Sequence, residues 1–160
     1  MGRTKVEAYW IVYLQTLPAD SPARDEGYEA WSFGEGQEMA DRLGGLVLDG
    51  LKTATCSALW ELEAEGGQMP RAGEKSIILD GRGEPLCVIE TTEVEVRRFD
   101  EVDGTFARDE GEGDRSLAYW REAHRRFFAG TLPEIGRRFS EGMPLVCERF
   151  RVIHEQSRRF

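Results

Sequence analysis

Gly50-Leu51-Lys52-Thr53-Ala54-Thr55 is the stretch where a helical pattern stops and a strand-like one begins. Upstream, from Gln37 to Asp49, Met39, Ala40, Leu43, Leu46 and Val47 recur at helical spacing, and Gly50 supplies the stop. Downstream, Thr53 to Trp60 alternates small polar residues with Ala54, Cys56, Ala58 and Trp60, which suits a strand carrying Thr53, Thr55 and Ser57 on one face. The helix therefore delivers Lys52 to a turn at the mouth of a strand. The chain has 18 arginines and three lysines, so the lysine at this place stands out. A guanidinium keeps its charge at physiological pH, whereas an ammonium desolvated at a pocket wall is able to release a proton. Lys52 and Thr55 are candidate reactive groups; a solvated Lys52 closing the helix C-terminus against its dipole is the other reading.

Working outward, Tyr9 to Leu14 is apolar and followed by Pro18, which predicts a short N-terminal helix. Lys75 to Asp80 and Pro85 to Val96 are rich in Ile, Val and Thr and flank Gly81-Arg82-Gly83-Glu84, a hairpin signature. Asp109-Glu110-Gly111-Glu112-Gly113-Asp114 is predicted as an acidic loop, with Asp114 capping a helix whose Leu117, Trp120, His124, Phe127 and Phe128 share one stripe. Thr131-Leu132-Pro133 opens a short helix, and Leu145 to Ile153 reads as a closing strand. Helices inserted among strands predict an α+β fold built on a small, mainly antiparallel β-barrel. Length and 40% hydrophobic content fit one domain over residues 1–160.

Several of these segments, taken in order, resemble the ASCH domain family, whose fold is similar to the PUA RNA-binding barrel. Gly50, Lys52 and Thr55 match its Gly-x-Lys-x-x-Thr signature. Trp31-Ser32-Phe33-Gly34, Pro70-x-x-Gly73, Phe106-Ala107-x-x-Glu110-Gly111-Glu112-Gly113-Asp114 and Cys147-Glu148-x-Phe150 look like the longer bacterial members, over a core of about 31–153. Members that resemble N4-acetylcytidine amidohydrolases work with the lysine and threonine of the signature and a glutamate of an Ala-x-x-Glu segment. The resemblance carries those roles to Lys52, Thr55 and Glu110. It implies hydrolysis of an amide on a modified pyrimidine nucleoside, with Lys52 activating the Thr55 hydroxyl and Glu110 holding the lysine. Those enzymes usually place an arginine after Thr-Ile, where this chain has Cys56-Ser57. The alternative the family implies is an RNA-binding module, with ribonuclease activity in some members.

Charge bears on that choice. Residues 1–114 carry 11 Lys/Arg against 25 Asp/Glu, or −14, and residues 115–160 carry 10 against 5, or +5, which sum to −9. Arg121, Arg125, Arg126, Arg137 and Arg138 lie close together in the basic part, where they face either phosphates or the protein's own acids. Trp31, Phe33, Tyr119 and Trp120 are candidates to stack on a base, with core packing as the competing role. Trp31, Phe33, Gly50, Arg121 and Arg125 are the expected substrate contacts.

Only two histidines occur, His124 and His154, and neither they nor the cysteines show zinc-like spacing, so no metal site of that type and no cofactor is expected. The acidic loop at 109–114 admits magnesium or manganese on its oxygens, against the plainer role of helix capping. Cys56, Cys87 and Cys147 read as reduced core thiols. No apolar run is long enough to span a membrane, and the N-terminus lacks the pattern of a secretory signal, so a cytoplasmic location is expected.

Overall fold

The computed structural model describes residues 2–155. In chain order its elements are α1 (Lys5–Gln15), β1 (Glu29–Trp31), α2 (Gly36–Leu48), β2 (Ala54–Ala58), α3 (Leu59–Ala64), β3 (Lys75–Leu79), β4 (Pro85–Arg98), α4 (Gly104–Glu110), α5 (Leu117–Thr131) and β5 (Pro144–Glu155). The five strands form one mixed sheet in the order β1-β3-β4-β5-β2. β1 runs parallel to β3, while the β3–β4 hairpin and the β2–β5 pair are antiparallel. This is the α+β arrangement that the alternation of patterns predicts. No helix among the described residues is long and apolar enough to cross a membrane.

The chain divides into two compact units, one of residues 1–49, 73–90 and 151–160 and one of 50–72 and 91–150, so that β4 and β5 contribute residues to both. In the first unit, α1 begins at Thr4, whose hydroxyl accepts from the Glu7 N–H at 3.1 Å. Tyr9, Trp10 and Tyr13 on that helix pack with Ile77 of β3 and Val88 of β4. Each such burial contributes about 1.5–3 kcal/mol. Trp31 and Phe33 belong to this unit, in edge-to-face contact with ring centroids 4.6 Å apart, and Phe33 is buried. Here Lys75 is a buried ammonium paired with Glu26 and, at 3.6 Å, with Glu90.

The second unit is built around β2, the C-terminal part of β4, the N-terminal part of β5 and the helices α4 and α5. Alternation puts Ala54 and Ala58 of β2 in a core with Phe106, Trp120, Phe128 and Leu145, and Cys56 packs at its edge. The strand is shorter than its pattern suggests, because Leu59 and Trp60 begin α3. α4 was not foreseen: Asp103 caps it by accepting from the Phe106 N–H at 2.9 Å, so Asp109 and Glu110 end a helix instead of starting a loop. The cap of α5 is Ser116, which accepts from the Tyr119 N–H at 3.1 Å, and not Asp114. Asp114 instead accepts from the Ser116 N–H at 2.8 Å and so orders the approach to the cap. All three cysteines are free, as expected.

Candidate active site

Two backbone constraints bring the Lys52 turn against the end of α4. The Thr53 N–H donates to the Asp109 carbonyl at 2.7 Å, and the Thr53 carbonyl accepts from Phe150 of β5 at 3.1 Å. Gly111 ends α4 with φ +78°, a left-handed conformation that glycine adopts without cost. A Cβ at that position would run into the Leu51 carbonyl and lie 3.0 Å from the Lys52 nitrogen. The two segments are therefore packed main chain to main chain, and glycine is the residue that permits it.

This closure carries the Lys52 side chain into the interior, where it is 2% exposed. Its Nζ donates at 3.4 Å to Glu110 Oε1 and at 3.4 Å to the Glu110 carbonyl, and Glu112 Oε2 stands 3.7 Å away. Glu110 is likewise 2% exposed. Its other oxygen, Oε2, accepts from the Trp120 indole N–H, faces His124 Nε2 at 3.2 Å and receives the Cys56 thiol at 3.6 Å. A lone carboxylate in such surroundings would be prohibitively costly. Here two cationic groups and a ring N–H surround it.

The electrostatics follow from that shell. Burial works to raise the Glu110 pKa, but the charges of Lys52 and His124 and the hydrogen bonds from His124 and Trp120 outweigh it and hold the carboxyl at about 2. Burial likewise disfavours a charged His124, and the Glu110 charge and hydrogen bond reverse this, raising its pKa. The Trp120 carbonyl adds to the effect: His124 Nδ1 lies 2.8 Å from it and donates to it, leaving Nε2 for the carboxylate. The imidazole also stacks on the Trp120 ring at 4.2 Å and 19°. For Cys56 burial comes first and the Glu110 charge second; both push its thiol well above the ordinary range.

Of the residues singled out from sequence, Lys52 and Glu110 thus meet across 58 positions. Gly50 lies two residues before Lys52, with φ +77°. Thr55 is next to Cys56 on β2, and because successive strand residues point to opposite faces, its hydroxyl is on the face away from the Glu110 carboxylate. Trp31 and Phe33 belong to the first unit and Lys52 and Glu110 to the second. Arg125 donates to Glu141 at 3.0 Å and lies over the Phe139 ring, and Arg126 pairs with Glu122 at 3.1 Å. Arg121 is exposed. Tyr119 is 40% exposed, whereas Trp120 is a core residue that also serves the site.

The four carboxylates of 109–114 do not share one point, and two of them meet at Lys52. Asp109 pairs with Arg149, Glu110 and Glu112 with Lys52, and Asp114 with the Ser116 backbone. What sequence reading missed is the company Glu110 keeps: Cys56, Trp120 and His124 were assigned to core or stripe, and their 54- and 10-residue separations from Glu110 or position across α4 and α5 carry no motif.

A buried lysine–glutamate pair thus sits at the junction of a strand-mouth turn and a short helix, in an α+β fold with a mainly antiparallel sheet. The ASCH domain model matches residues 29–154, and the chain belongs to that family. It is similar to the crystal structure of an ASCH domain from Lactobacillus crispatus JV V101, with 34% identity over 94% of this chain and 95% of that one and a TM-score of 0.89. A protein from Enterococcus faecalis V583, EF3133, is 40% identical over 94% of this chain and 89% of its own, with a TM-score of 0.82. No curated protein matches the chain.

Proposed function

We propose that this ASCH domain recognises a modified pyrimidine nucleoside, free or within RNA, and hydrolyses an amide on it, with Lys52 and Glu110 at the centre. The observation that carries the reading is the convergence of ammonium and carboxylate, both shut from water, out of segments 58 residues apart. Hydrolysis of an amide needs charge stabilisation as the carbonyl oxygen becomes anionic and a proton for the departing nitrogen. A buried ammonium held by a carboxylate is suited to the first and adjacent to a route for the second. The reading rests on this pair; with the Thr55 side chain on the other face of β2, the attacking oxygen is that of a water molecule.

The test is turnover of N4-acetylcytidine, followed by loss of the acyl group, for the wild type and for Lys52→Arg, Glu110→Gln, Thr55→Ser and Thr55→Val. Turnover in the wild type, abolished by Lys52→Arg and Glu110→Gln with the fold kept by circular dichroism, supports the reading. Turnover kept by both Thr55→Ser and Thr55→Val fits attack by water, whereas turnover kept by Thr55→Ser and lost in Thr55→Val would assign the attack to the Thr55 hydroxyl. Full turnover by Lys52→Arg overturns the lysine's part in proton transfer. A wild type inert towards acylated cytidines but binding RNA favours the second reading, an RNA-binding module, for which exposed Arg121 and Arg138 of the basic segment speak.

A further inference from the structure

The far oxygen of Glu110 is crowded by groups that the hydrolytic reading does not use. Cys56 comes from β2, Glu110 from the end of α4 and His124 from the middle of α5, and one donor atom of each lies within 4.8 Å of the other two. Sγ is 3.6 Å and Nε2 3.2 Å from the carboxylate Oε2. A tetrahedral ion with bonds of about 2.0–2.3 Å holds its ligand atoms roughly 3.2–3.8 Å apart. Two of the three separations already fall in that range, and the third, from Sγ to Nε2, lies within 4.8 Å, so a side-chain adjustment of about 1 Å or less completes the spacing.

The surroundings match what a metal centre requires of its supports. His124 points Nε2 inward while Nδ1 is committed to the Trp120 carbonyl at 2.8 Å, which fixes the ring and its tautomer as outer partners of metal-binding imidazoles do. The Trp120 indole N–H does the same for the Glu110 carboxylate. One residue thus steadies two of the three donors, through its main chain and its ring. We propose that Cys56, Glu110 and His124 form a binding site for one zinc-type divalent transition-metal ion, with a fourth coordination position left for water or substrate.

The donor set selects the class of ion. One thiolate, one imidazole and one carboxylate suit zinc or its neighbours, whereas magnesium and calcium prefer oxygen throughout. On binding, the Cys56 thiol proton and the Nε2 proton of His124 leave to solvent. The ion's two charges then replace those two protons, so that the cluster with Lys52 and Glu112 keeps its total charge. His124 and Glu112 give a way in, their side chains being 14% and 15% exposed. The site shares Glu110 with the hydrolytic reading, but its test does not depend on that reading, since occupancy is measured without substrate.

The experiment takes the full chain, stripped with a chelator and titrated with Co2+ and then Zn2+. One equivalent of Co2+ is expected, with a thiolate-to-cobalt absorption band that Zn2+ abolishes, and Zn2+ is expected to raise the unfolding temperature. Cys56→Ser should lose the band, and Cys56→Ser and His124→Gln should each weaken binding by at least the roughly 10–100-fold that loss of a supporting partner costs. Cys87→Ala, in the other unit, should bind as the wild type does. Because the band and the thermal shift are read on the wild type, a variant that fails to fold does not decide the matter. Absence of stoichiometric binding by the wild type, or a band that persists in Cys56→Ser, overturns the proposal.

Discussion

At the residue scale the decisive group is Glu110, because the turn at Lys52, the strand β2 and the helix α5 all supply partners of one carboxylate. Glu110→Gln keeps the shape and removes the charge that Lys52 and His124 face. Breaking one side of a buried pair costs about 3–5 kcal/mol, and we expect a loss toward the lower end since Glu112 remains 3.7 Å from Lys52. Glu112→Gln, at a more exposed position, should cost about 1 kcal/mol or less. Urea unfolding of the two variants checks the order; equal losses would mean that Lys52 is held by both carboxylates alike. Lys52 and Glu110 were legible in the sequence because the family resemblance names them. His124 and Cys56 were not, because a helix stripe and an alternating strand look the same whether their residues meet leucines or a carboxylate.

At the element scale, α4 decides where Glu110 ends up, and its start depends on Asp103. Asp103→Ala removes the acceptor of the Phe106 N–H and should destabilise the protein by about 1 kcal/mol; Ser116→Ala at α5 should cost a similar amount. The Phe106 N–H lowers the Asp103 pKa. A carboxyl with a lowered folded pKa stabilises above its unfolded value, near ~3.9, and loses that contribution as pH falls through the lower folded value. The difference in unfolding temperature between wild type and Asp103→Ala should therefore shrink below about pH 4. A difference that persists at pH 2 would assign the effect to helix propensity. The same element shows what sequence leaves open: seven residues are too few to display a helical period, and Gly-rich acidic text downstream reads as loop. The hairpin of β3 and β4 was legible because two β-branched runs and a glycine turn coincide, whereas three-residue β1 has no pattern to read.

At the scale of the whole molecule, a formal charge of −9 opposes polyanions, so any RNA binding has to come from the basic segment. Arg125 and Arg126 are already engaged with Glu141 and Glu122, whereas Arg121 and Arg138 are exposed with no ion-pair partner among the described residues. Two of the ten basic residues counted in that segment, Arg158 and Arg159, lie outside the described residues. If RNA is bound there, Arg121→Glu with Arg138→Glu should flatten the slope of log affinity against log salt by about 1.4 for a single strand. Fluorescence anisotropy from low to high salt measures it, and an unchanged slope would leave these arginines as solvated surface. Composition made the asymmetry legible; which arginines are free of acids was settled by packing.

The main-chain bond from Thr53 to Asp109 closes a loop of 56 residues, and the side chains of the site meet across it. Closing a flexible loop of that length costs roughly 3.5 kcal/mol by the logarithmic scaling of chain entropy, so contacts of this range form late and together. Recovery of the Lys52–Glu110 pair during refolding is therefore expected to report a late step of that unit. A chain that has wound its helices but not made this closure holds a lysine and a glutamate that are still strangers in water.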